Sequence, residues 1–157
     1  QLAAMLGLPY AFASHFAPAA LDQAIVIYRE KFEPSEQLSE PYVTLGYNVC
    51  AAASDTEAAH LRTSSLQSFV NLRRGMPGKL PPPVAGYEEQ LSATETAMVQ
   101  ELSRCAAVGS PDSVKSQIEE FLDQTKADEL IIASSVFEHE ARLRSYEITA
   151  DILGLTL

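Results

Sequence analysis

The sequence predicts an α/β fold built on parallel strands. Strand-like and helix-like segments alternate along its 157 residues, the pattern of βα units. At residues 7–18 a short apolar segment runs straight into a helix start, with Ser14 and His15 at the junction. Ahead of it, residues 1–6 read as the last turns of a helix. Helix tail, strand and helix in that order are one βα unit of a larger array. In such arrays the chemistry lies where strands end and the next helices begin.

The first strand is expected at 10–14. Its helix follows Pro18, with Leu21, Ile25, Tyr28 and Phe32 on one apolar stripe and Asp22, Arg29 and Glu30 mainly on the wet side. It must stop before Pro34. Residues 41–51, rich in β-branched and aromatic side chains, form the second strand. Ser54 and Glu57 make the capping box of a helix running towards Leu72. Two glycines and four prolines between 73 and 83 exclude regular structure. A loop of that kind in a compact domain reads as a lid or binding loop.

Ser92 and Glu95 form a second capping box, for a helix ending near Cys105. Residues 106–109 lead to Ser110 and Pro111, a cap and a first-turn proline. That helix carries Val114, Ile118, Phe121 and Leu122 on its apolar side. The third strand is expected at 129–135 and a last helix at about 138–153. Three parallel strands covered by helices on one face leave the other face apolar and open. The chain therefore reads as half of something larger.

Composition narrows the class. Hydrophobic residues make up 46% and charged residues 20%, which excludes disorder as the main state. A net charge of −10 repels phosphate backbones, so nucleic acid is not an expected partner. No apolar run approaches a membrane span, and residues 1–30 lack signal-peptide features. Cys50 and Cys105 have no CxxC partner and read as reduced, buried thiols of a cytoplasmic protein. His60 and His139 fall on solvated faces. His139 with Glu138 or Glu140 lacks a third ligand at helical spacing, so no metal site is expected. Phosphate-loop, dinucleotide, GxSxG and HExxH motifs are absent.

Five segments carry a resemblance: LGLPYAFASHFAP at 6–18, YVTLGYNVCAAASDTEAAHLR at 42–62, LRRGMPGKLPPP at 72–83, VGSPDSVKSQIEEFL at 108–122 and ELIIASS at 129–135. In this order they resemble the bacterial luciferase-like, flavin-dependent monooxygenases. The resemblance implies the C-terminal part of a (β/α)8 TIM barrel, about three βα units holding strands six to eight. Residues 1–157 would be one partial domain with a Pro/Gly-rich insertion loop at about 73–86, and strands one to five would precede it. The implied activity is oxidation of a small organic substrate with reduced FMN and O2, a flavin reductase supplying the FMN.

The resemblance places Ala13, Ser14 and His15 beside the flavin, with His15 the candidate for proton transfer. Phe16, Asn48, Ser134, Ser135 and Phe137 become candidate substrate-pocket residues. Most phosphate contacts would come from the preceding strands, so the chain alone is expected to bind FMN poorly and to be inactive. Arg73, Arg74 and Lys79 are the only dense basic cluster, either a solvated loop or a contact for the flavin phosphate or a partner domain. Two alternatives stand beside this reading. One is a deazaflavin-dependent oxidoreductase of the same fold. The other is a non-catalytic half-barrel that forms a homo-oligomer or pairs with the missing half.

Overall fold

A long central strand organises the molecule. The computed structural model describes residues 1–155, in which four strands alternate with six α-helices. The order is α1 (Leu2–Met5), β1 (Tyr10–Phe12), α2 (Leu21–Glu30), β2 (Val43–Ala51), α3 (Asp55–Arg73), α4 (Ala93–Ser103), β3 (Ala106–Gly109), α5 (Pro111–Thr125), β4 (Glu129–Ala133) and α6 (His139–Ile152). Every pairing is parallel, and β2 takes part in all of them. Thr44 and Leu45 have partners in both β1 and β4, and Asn48 in both β3 and β4. So β4 occupies one edge of β2, while β1 and β3 follow one another along the other edge.

The fourth strand corrects the expected count of three. Residues 106–109, expected only as a lead into the next helix, pair with 48–51 as β3. Four small residues carry too little alternation to announce a strand. The outer strands are also shorter than expected. After β1 the Ser14 N–H donates to the Phe12 carbonyl at 2.9 Å, which turns the chain out of the ladder.

Alternation along β2 builds the core. Val43, Leu45, Tyr47, Val49 and Ala51 face the helices and pack with Ile25 and Tyr28 of α2, Val114, Ile118 and Phe121 of α5, and Ile148 of α6. The rings of Tyr47 and Phe121 lie 4.4 Å apart. The Tyr28 hydroxyl donates to the Leu8 carbonyl at 2.8 Å and accepts from the Tyr42 N–H at 3.1 Å, joining α2 to both strand entries. The opposite face is open on its flanking strands, where Ala11 of β1 is exposed and Ile131, in mid-strand, is 57% exposed, while Thr44, Gly46 and Cys50 of β2 are covered.

Helix starts follow the sequence closely, with two refinements. Ser92 and Glu95 close a complete capping box, and Glu95 also pairs with Arg74 at 2.7 Å. Ser54 accepts the Glu57 N–H at 3.2 Å, but the Glu57 carboxylate accepts from Ala53 rather than from the cap residue. Ser110 makes no capping bond; its N–H donates to Asp55 Oδ1 at 2.7 Å and ties the start of α5 to that of α3. Gly109, at φ +150°, permits this, because a Cβ there would collide with Asp55 Oδ1. No helix among the described residues is long and apolar enough to cross a membrane.

Candidate functional site

The segments leaving β1 and β4, with Asn48 in the second half of β2, open into a cavity of about 400 Å³. His15, Phe16, Asn48 and Ser135, four of the residues singled out from the sequence, line it together. Its far wall comes from α3, through Ser65, Phe69 and Leu72, and from the loop through Pro77, Gly78 and Leu80. The α3 residues escaped the sequence reading. Their i, i+4, i+7 spacing was the available signal, overshadowed by Leu66 and Val70, which bury against Val99.

His15 is seated by Gly46. A side chain on Gly46 would overlap the imidazole at Nδ1. That nitrogen is buried and lacks a hydrogen-bond partner of good geometry. Burial pushes the His15 pKa below its usual 6.5, and the Gly46 backbone opposes the shift more weakly. Burial thus favours the neutral ring. It packs against Phe16 with centroids 4.2 Å apart, and Phe16 itself is 74% exposed. Phe16 also borders a second, largely apolar groove of about 530 Å³ reaching Pro18 and Met98.

Four expected site residues do not line the cavity. Ser14 is fully buried and donates to the Gly46 carbonyl at 2.6 Å, so it clasps β1 to β2 and does not face the cavity. Ser134 is buried against α6, its N–H on the Tyr146 hydroxyl at 2.9 Å and its Oγ 3.3 Å from Ser145 Oγ. Neighbours on an extended segment point opposite ways, so Ser135 takes the cavity and Ser134 cannot. Phe137 is exposed ahead of α6 and forms no part of the wall. Ala13 is exposed beside the site without lining it.

The loop after α3 is anchored at both ends. Arg74 holds Glu95, Gln67 Nε2 donates to the Pro82 carbonyl at 2.9 Å, and the Val84 N–H donates to Thr63 Oγ1 at 2.9 Å. Between these ties Met76 stands exposed. The Arg73 guanidinium lies 5.2 Å from the Phe69 ring centroid. Cys50 and Cys105 are free and buried, and burial raises both thiols to about 11. Among the described residues no three His, Cys, Asp or Glu side chains converge on a metal position.

No family model matches the chain. Over 97% of its length it is 44% identical to a luciferase-like monooxygenase of Escherichia coli K12 and 45% identical to the Bacillus subtilis protein YvbT. Apo-MsnO8 superimposes with a TM-score of 0.85 at 32% identity, over 98% of this chain and 47% of that one. In sequence and in fold this chain is similar to luciferase-like monooxygenases. A monooxygenase of Streptomyces bottropensis, RslO1, shares the fold at a TM-score of 0.61 and 20% identity, over 97% of this chain and 43% of that one. The chain spans about half the length of the curated relatives it matches, 45% of each.

Proposed function

We propose that this chain is the C-terminal part of a (β/α)8 flavin-dependent monooxygenase, with β1, β2 and β4 as barrel strands six, seven and eight. The cavity towards their C-terminal ends would lie beside the flavin and admit a small organic substrate. One observation carries the reading: His15 and Phe16 after β1, Ser135 after β4, and Asn48 of β2, level with the last residue of β4, share that cavity, towards the end where such arrays place chemistry. The open inner face supports it, since a closed barrel would cover Ala11 and Ile131.

The residues fit the flat ring of a flavin and not its phosphate. Ala13 adds no bulk, His15 and Phe16 offer flat faces, and Phe69, Leu72 and Leu102 are apolar. Near the site Arg73 and Arg74 already meet Phe69 and Glu95. The phosphate would be held by strands outside this chain. When bound, reduced FMN would supply the electrons that activate O2. Ala13 and His15 would hold one side of the ring, Asn48 and Ser135 would orient the substrate, and Pro77 and Leu80 would exclude water. With His15 Nδ1 packed on Gly46, Nε2 is the nitrogen left to exchange a proton.

The test is O2 uptake and substrate oxidation by the protein with all eight strands, supplied with reduced FMN by a flavin reductase. Turnover with FMN and loss of turnover in His15→Asn are expected. Turnover only with a deazaflavin, without O2 consumption, would replace the reading by hydride transfer in the same fold.

A further inference from the structure

Arg62, on the first half of α3, is a half-buried cation with no carboxylate within 4.0 Å among the described residues. Its Nη2 donates to Ser103 Oγ, a neutral hydroxyl whose own proton goes to the Val99 carbonyl at 2.7 Å. One such bond leaves most of the guanidinium's five donors to find partners. The Glu88 carboxylate attracts it only from beyond 4.0 Å, and withdrawing a cation from water without a close counter-charge is costly. The guanidinium borders a cleft of about 30 Å³ between β2, β3 and α3. Asn48, Ser65, Leu102 and Ser135 line both this cleft and the 400 Å³ cavity, so the two adjoin.

We propose that Arg62 receives a carboxylate of the substrate, held in this cleft while the body of the molecule occupies the larger cavity beside His15 and Phe16. The cleft, of about 30 Å³, has room for a small polar group. A guanidinium binds a carboxylate through paired charge-assisted hydrogen bonds, and Asn48 and Ser135 lie at the mouth to take a remaining lone pair. Burial already holds the Arg62 pKa below its usual value, a cost that a bound carboxylate would relieve. The proposal rests on the cavity being the substrate site and names the substrate class it takes.

The test is an NMR titration of the ¹⁵N-labelled chain with benzoate and with benzamide, its neutral counterpart. Benzoate should shift the Arg62 Nε–H and Asn48 side-chain signals together and saturably. Benzamide should bind about tenfold more weakly, the difference one charge-assisted contact makes. R62Q should abolish that preference and R62K should keep part of it. Absent binding of benzoate at millimolar concentration, equal binding of the two probes, or an undiminished preference in R62Q overturns the proposal. Should R62Q not fold, the comparison of the two probes on the native chain decides. No flavin takes part, so a failure of FMN to bind would overturn the cofactor reading alone.

Discussion

At the residue scale, the site depends on one missing side chain. Gly46 lets the His15 ring lie flat on β2, and the Ser14 hydroxyl fixes the same peptide through its carbonyl. Gly46→Ala would force the imidazole aside or push β2 out of register with β4. Overpacking of this kind costs about 1–3 kcal/mol, and a lower urea midpoint with displaced His15 ring signals is the expected result. An unchanged midpoint would mean that the ring is not seated there. The same burial gives a pH signature. The folded pKa of His15 lies below its ordinary 6.5, so the unfolded chain takes up the proton first. The stability owed to a neutral ring is complete above about 6.5 and declines as pH falls below it. Urea midpoints at pH 7.5 and 5.5 should differ less in His15→Asn than in the native chain.

At the element scale, α4 and the loop before it form a unit. Ser92 caps α4, Glu95 closes the box, and Arg74 at the end of α3 binds Glu95. Ser92→Ala should cost about 1 kcal/mol, read as a drop in thermal midpoint. The Arg74 hydrogen bond, helped by the Ser92 N–H and hydroxyl, holds the Glu95 pKa at about 2 against an ordinary 4.5. Its stabilisation is present above 4.5 and is lost as pH falls from there towards 2. Glu95→Gln should flatten that part of the acid-unfolding curve; an unaltered curve would count against the link. The loop between these anchors was legible as irregular from its prolines. That Pro77, Gly78 and Leu80 form a cavity wall depends on where α3 ends in space, which no local pattern contains.

For the whole molecule, the open face of the sheet governs behaviour. Ile131 is 57% exposed in mid-strand, and Ala11 and Ala13 lie bare beside it. Contiguous apolar surface and unpaired strand edges favour association. The net charge of −10 opposes it, but salt screens that repulsion beyond about 8 Å, while contact burial is unscreened. Sedimentation across a dilution series should show self-association at micromolar concentration, weakened by Ile131→Glu. A compact monomer throughout would show that the face tolerates water.

The sequence by itself determined the parallel α/β class and the helix starts at Ser54, Ser92 and Ser110. These are local properties: alternation, capping chemistry and the order of elements. Only the tertiary structure decided that 106–109 is a strand, that Ser135 rather than Ser134 faces the cavity, and that Ser14 is a clasp. It alone brought Arg62 to the same place as Asn48. Each of these rests on a neighbour distant in sequence: Ala51 across from Gly109, Ser145 under Ser134, Gly46 against Ser14 and His15, and Ser103 beside Arg62. A side chain's direction is fixed by the partner it meets, and that partner is set by packing rather than by adjacent residues.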